Sequence, residues 1–208
     1  MSDVTAVRDP ERDSLLTPRN AVLALIDYQP EQYAGVGSMG HDELLHHVTM
    51  LGKVATTFEV PVVLSTVYVK HGMSGTNPEL LEALPGVPEI DRTTLNSWED
   101  PDFREAVERT GRKNLILAGL WTEVCVAFPA LDAIAAGYRV YFVADAIGGV
   151  SRTAHESAIE RMTQAGATPI TVLGLACELQ RDWGRPGAER LRAVMREYFS
   201  GMRSLRQK

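Results

Sequence analysis

Cysteine is scarce: Cys125 and Cys177 are the two thiols in 208 residues. That is too few for the disulfide framework of a small secreted domain, and a reducing, cytoplasmic setting is the expectation. Positive charge is also in deficit. Lys and Arg total 21 against 27 Asp and Glu, a formal charge of −6, which argues against nucleic acid or an anionic membrane as a partner. No apolar run approaches the length of a membrane-spanning helix. The charged stretch at residues 1–20 lacks the apolar segment and small-residue cleavage site of a signal peptide. Internal repeats and low-complexity tracts are missing. So is a phosphate-binding loop: residues 34–40 (AGVGSMG) hold glycines without a lysine-bearing or dinucleotide-binding pattern. They are expected to form a mobile loop.

What is present is apolar material for one substantial core, 45% of the chain. Short runs rich in Val, Ile and Leu at residues 21–27, 61–68, 114–119, 139–145 and 168–173 predict strands buried on both faces, with a weaker candidate at 89–92. Helical spacing marks residues 41–58, 101–110, 124–136 and 151–165. Gly111, Gly137 and Gly166 stand at helix stops. This β-α alternation implies an α/β fold, a three-layer α/β/α sandwich around a mostly parallel sheet. Residues 1–20 read as an N-terminal extension and 21–176 as the domain. Residues 177–208 read as a helical tail, broken at 184–187, that packs on the domain or on a neighbouring subunit. Its apolar content suggests a homo-oligomer.

Ligands of open α/β sheets bind outside the carboxyl ends of strands. Asp27 closes the first run, Arg92 closes the weak one, and Cys125 begins the helix after the run at 114–119. A thiol in the first helical turn meets unsatisfied N–H groups and the helix dipole, so a depressed pKa is expected. A carboxylate at a buried strand end is expected to have a raised pKa and to suit a proton acceptor. Asp145 has a similar strand-end place but no paired nucleophile, and Cys177 lacks the strand-end setting. Structural roles are expected for both.

The segment NLILAGLWTEVCVAFPALDAIAAGYRVYFVAD (residues 114–145) contains G-x-x-T-x-x-C-V at Gly119, Thr122, Cys125 and Val126. With the strand end Asp27-Tyr28-Gln29, it resembles the isochorismatase-like cysteine hydrolases over about residues 21–176. Residues 96–100 (NSWED) and 176–183 (ACELQRDW) resemble the YcaC-like branch of that family. The resemblance implies a six-stranded parallel sheet and a site of aspartate, basic residue and cysteine, with Asp27 as base and Cys125 as nucleophile. It implies hydrolysis of a small amide-like or related C–N bond through a thioester, with the oxyanion held by backbone N–H groups around Val124 and Cys125. It also implies a non-proline cis bond just before the nucleophile, at Glu123–Val124. The family's lysine position, six before an aromatic, falls on Arg92 ahead of Trp98. Arginine as a residue type keeps the charge but, with a pKa above about 12, does not readily donate its proton. A structural reading makes Arg92 an ion-pair partner of Asp27. Lys70 is the one plausible substitute among the lysines.

No cofactor and no metal are expected. The metal-binding nicotinamidases of the superfamily use an Asp and two closely spaced His, whereas this chain offers His71 alone after the second strand. His41, His46 and His47 do not share a ligating face, and His155 reads as a packing or polar-network residue. Tyr28, Trp98 and Trp121 are candidates for the pocket wall of a small-molecule substrate. Two other readings stay open: acid-catalysed ether cleavage by Asp27 without the thiol, as in isochorismatase, and a non-catalytic binding or assembly protein with a degenerate site.

Overall fold

The computed structural model describes residues 13–207, so the first twelve residues of the expected N-terminal extension lie outside it. Six strands form one sheet: β1 (Ala21–Ile26), β2 (Val62–Val67), β3 (Glu89–Arg92), β4 (Asn114–Gly119), β5 (Arg139–Val143) and β6 (Thr168–Ile170). All neighbours pair in parallel, in the order β3-β2-β1-β4-β5-β6. The central pair, β1 and β4, is buried at every position, which is why both read as unbroken apolar runs rather than alternating ones. They run in register from Ala21 opposite Asn114 to Ile26 opposite Gly119. Gly119 is required there: a Cβ would stand 2.7 Å from the Ile26 carbonyl oxygen.

Eight helices cover the two faces: α1 (Pro30–Ala34), α2 (His41–Phe58), α3 (Pro78–Ala83), α4 (Pro101–Arg109), α5 (Ala127–Ala135), α6 (Arg152–Gln164), α7 (Val172–Gln180) and α8 (Ala188–Leu205). α2 packs with α3, α7 and α8, while α5 packs with α6 and with the short turn leading into α4. Side-chain caps set several starts. Asp100 accepts from Phe103 N at 3.0 Å with Pro101 next in the chain, and Ser151 accepts from Ala154 N at 3.1 Å. The three glycines expected at helix stops all have positive φ. Among the described residues no helix is long and apolar enough to cross a membrane.

β1 and β2 fall short of their apolar runs by a residue at one end or both, while β5 and β6 stop two and three residues early for a local reason. Asp145 Oδ1 accepts from Val172 N at 2.9 Å and Thr171 Oγ1 accepts from Gly174 N at 3.2 Å. The chain therefore turns into α7 at Val172 instead of extending β6 to residue 173. This gives Asp145 its structural role. α7 continues through residues 176 and 177, and α8 folds back on α2 and α7 of the same chain.

From β1 the chain steps outward through β2 to β3, then returns to lay β4, β5 and β6 on the other side. β1 and β4 thus flank the switch point of the topology, the place where open α/β sheets carry a ligand crevice outside the carboxyl ends of their strands.

Candidate active site

Asp27 is the first residue beyond β1 and turns the chain sharply, with φ 61°. A left-handed backbone is costly for most residues other than glycine and less so for Asp or Asn, which fits the residue found there. Its amide donates to Ser65 O at 2.9 Å, and the carboxylate lies in the crevice, fully buried. Gln29 holds the neighbouring strand end. Its Nε2 donates to Val67 O and Ser74 O at 3.0 and 2.7 Å, and its Oε1 accepts from Val67 N at 2.9 Å. The spacing Asp27-Tyr28-Gln29 is therefore one device: the first residue aims a carboxylate and the third pins β2 beside it.

Arg92 reaches from β3 across the end of β2. Nη2 donates to Asp27 Oδ2 at 2.7 Å and Nη1 to Thr94 O at 2.7 Å, and both charged side chains have no exposed surface. The ion pair expected under the structural reading of Arg92 is present. Yet the pair is not saturated, because Arg92 Nε has no hydrogen-bond partner and Asp27 Oδ1 has none beyond the Cys125 thiol.

Cys125 follows β4 on a π-helical turn, Thr122–Val126, that leads into α5. It is 8% exposed and its thiol interacts with the Asp27 carboxylate. The three sequence-predicted residues, from β1, β3 and the turn after β4, therefore meet at the crevice. Burial raises the pKa of Asp27, against the lowering effects of Arg92 and the thiol, in the direction expected. Cys125 goes the other way from expectation. Burial first and the Asp27 charge second push its pKa well above the ordinary thiol range, and Arg92 offsets only part of this. The helix-end argument fails because desolvation of a closed crevice outweighs it.

Two more expectations change. The cis bond is Leu120–Trp121, not Glu123–Val124. The amides of Val124 and Cys125, expected to be available to an oxyanion, both donate to Trp121 O, at 3.1 and 2.8 Å. The tighter start of the turn brings that carbonyl back over both N–H groups.

The aromatic residues divide. Tyr28 is fully buried and donates its hydroxyl to Ala146 O at 2.5 Å, so it is committed to the core. Trp98 lies edge-on to Tyr138 with ring centroids 5.3 Å apart. Trp121, half-buried, donates its indole N–H to Gln32 O at 2.9 Å, and a Cβ on Gly35 would come within 2.5 Å of its ring. It thus clamps the glycine-bearing loop beside the site. That loop is not loose: Gly37 N and Ser38 N donate to Gly149 O at 3.0 and 3.3 Å, and Gly149 N donates back to Ser38 Oγ at 2.9 Å. Lys70 and His71 are exposed on a short turn after β2, and no group of three or more His, Cys, Asp or Glu among the described residues gathers as a cation would need.

Tyr68 and Leu95, which the sequence pattern does not single out, are 46% and 68% exposed just beyond β2 and β3. Tyr68 N donates to Arg92 O at 2.8 Å, which places it next to the buried pair. Position after a strand end was the available signal for both.

A family model described as the isochorismatase domain matches residues 21–173. "Probable hydrolase YcaC" of Escherichia coli is 39% identical over 191 residues, covering 91% of each chain. Among solved structures, YcaC from Pseudomonas aeruginosa with hexane-2,5-diol and covalent acrylamide superposes with a TM-score of 0.85, at 34% identity over 93% of this chain and 96% of that one. The Escherichia coli YcaC structure, described as an octameric hydrolase of unknown specificity, gives 0.83 at 38% identity, covering 94% of this chain and 98% of its own.

Proposed function

From membership of the isochorismatase-domain family, to which this chain belongs, we propose that it is a cysteine-dependent hydrolase of a small amide-like or related C–N bond. The observation that carries the reading is the meeting of Cys125, Asp27 and Arg92, all buried, at the carboxyl ends of the central strands, with the thiol against the Asp27 carboxylate. The name hydrolase given to the Escherichia coli relative supports the reaction class, and the covalent acrylamide held by the Pseudomonas aeruginosa one supports a reactive nucleophile in this family.

The raised thiol pKa shapes the mechanism. Cys125 is not a pre-formed thiolate; it attacks as Asp27 takes its proton, and the raised carboxyl pKa makes Asp27 a better acceptor. Sγ bonds to the carbonyl carbon, whose π electrons move onto oxygen. The oxyanion faces the Arg92 charge. Collapse breaks the C–N bond, with the Asp27 proton passing to the departing nitrogen, and leaves a thioester on Cys125. Water then attacks the thioester, gives a proton to Asp27, and releases the acid while that proton returns to sulfur. Metal and cofactor have no part in this reading, and a homo-oligomer is its setting, by analogy with the octameric relative.

One observation favours a second reading. A thiol so reluctant to ionise beside a carboxyl of raised pKa also suits Asp27 acting alone as an acid, as in ether cleavage. Acid quench during turnover of a panel of primary amides, followed by peptide mass analysis, separates the two. The proposal expects an acyl adduct on the Cys125 peptide and no turnover in Cys125→Ala. A Cys125→Ala protein of full activity, silenced only by Asp27→Asn, would sink it.

A further inference from the structure

Behind the nucleophile lies a polar contact that the reaction above does not use. Thr122 opens the π-helical turn and is fully buried. Its amide donates to Gly148 O at 2.9 Å, and its hydroxyl lies 2.9 Å from Nδ1 of His155, on α6. This is the one hydrogen bond of that hydroxyl among the described residues. α6 packs directly on the turn. The space between them is tight: a Cβ on Gly149 would stand 2.6 Å from Glu123 Oε2 and 3.0 Å from His155 Cβ. Glu123 Oε1 in turn accepts from Val150 N at 3.1 Å.

A π-helical turn holds one residue more per hydrogen-bonded ring than an α-helix and rarely persists without support from its surroundings. This one has no side-chain cap at its N-terminus, since Trp121 occupies the capping position. The anchor is instead Thr122, three residues before the nucleophile. We propose that His155 is a positioning residue: by binding the Thr122 hydroxyl it fixes the register of the turn that sets Cys125 against Asp27. The inference rests on the nucleophile–base reading and adds to it the element that aims the nucleophile.

The test reads how strongly Asp27 is felt at Cys125. The groups facing Cys125 are Asp27 and Arg92; those facing His155 are Glu123 from the turn and Glu156 from its own helix. Iodoacetamide alkylation of Cys125 is followed against pH by peptide mass in the full chain, with exposed Cys177 as internal reference and thermal melting as a check on folding. In the wild-type background Asp27→Asn removes a negative charge and lowers the pH midpoint at Cys125 by about one unit or more.

In His155→Gln that shift falls to less than half, and Thr122→Val gives the same loss. The two changes together lose no more than either alone, as expected of one shared interaction. His155→Asn retains the shift, because its shorter amide puts a polar atom where Nδ1 stands. Should His155→Gln fail to fold, Thr122→Val, which removes a single hydroxyl, carries the test. An undiminished shift in either variant, even with a lowered melting temperature, overturns the proposal, since a merely structural contact would leave the Asp27 effect in place. A shift already missing in the wild-type background is a different result, which removes the nucleophile–base reading and this one with it.

Discussion

Two ion pairs of equal length hold the chain in different ways. Arg181 Nη1 lies 2.7 Å from Asp13 Oδ2, and Arg92 Nη2 lies 2.7 Å from Asp27 Oδ2. At the first, every guanidinium nitrogen has a partner: Nη2 donates to Leu16 O at 3.1 Å and Nε to Glu178 O at 3.2 Å, while Asp13 Oδ1 accepts from Leu15 N at 3.1 Å. At the second, Arg92 Nε is buried without a partner and Asp27 Oδ1 has none beyond the Cys125 thiol. Buried polar groups are nearly always satisfied, so the saturated pair reads as a strap that ties residues 13–16 to α7. The unsaturated pair is the one that the proposed mechanism uses on a reacting group. Distance alone does not separate these two pairs; the atoms left without partners do.

The largest expected effect tests that difference directly. Asp27→Ala leaves Arg92 fully buried with Thr94 O as its remaining acceptor, and removing one member of a buried pair costs about 3–5 kcal/mol. Asp13→Ala leaves Arg181 with two carbonyl acceptors and a side chain 12% exposed, so its loss should be about 1.5–3 kcal/mol, the worth of a hydrogen bond to a charged group. Urea unfolding of the two variants measures both. Equal losses would erase the distinction between the two pairs.

Next in size is the response of Cys125 to its neighbours. Its alkylation midpoint should stand above the free-thiol value of about 8.5, since burial and the Asp27 charge hold the thiol protonated. Arg92 acts in the opposite sense, so Arg92→Ala moves the midpoint further up and Arg92→Lys restores part of the difference. A midpoint at or below the free-thiol value would mean that Cys125 is more open to water than its 8% exposure indicates.

The architecture was legible in the sequence because a doubly covered parallel sheet writes itself as unbroken apolar runs. β3, β4 and α2 fall at residues 89–92, 114–119 and 41–58, where the pattern places them. The ends of β5 and β6 were not, because Asp145 and Thr171 stop the strand pattern by capping a helix that apolar spacing alone cannot distinguish from it. Strand-end position found Asp27, Arg92 and Cys125. It could not give the sign of the Cys125 shift, since local rules see a helix terminus while the outcome depends on how tightly distant segments close over it. The loop at residues 34–40 reads as mobile from its glycines, but Gly35 is there to admit the Trp121 ring. Nor does any spacing rule link Thr122 to His155, which meet only because α6 crosses the nucleophile turn.

A smaller effect follows from pH. Burial raises the Asp27 pKa above its ordinary value of 3.8, so the folded state binds this proton more tightly than the unfolded chain does. Stability then falls as pH rises from the ordinary carboxyl value through the folded one. Asp91 shows the reverse. Backbone amides of Val69 and Lys70 bind its carboxylate and lower its pKa despite some desolvation, so its contribution is present above the ordinary value and lost as pH falls through the folded one. Urea unfolding across the acid range should show the wild-type curve less favourable towards neutral pH relative to Asp27→Asn, and the wild-type advantage over Asp91→Asn growing in the same direction. A wild-type to Asp27→Asn difference that grows with pH would mean that Arg92 dominates over burial.

The smallest effect completes the series of pairs. Lys53 and Glu197 join α2 to α8 with side chains 38% and 53% exposed. Both ends of this pair keep their water, so the attraction is screened and offset by the entropy of holding two long side chains. Lys53→Ala should therefore cost about 0.2–1 kcal/mol, less still at high salt, with the alkylation profile of Cys125 unchanged. If instead it loosened α8 as severely as Asp27→Ala disturbs the crevice, solvent exposure would not be what ranks these pairs. The ordering from unspent buried pair, through saturated strap, to surface contact would then have to rest on the helices they join.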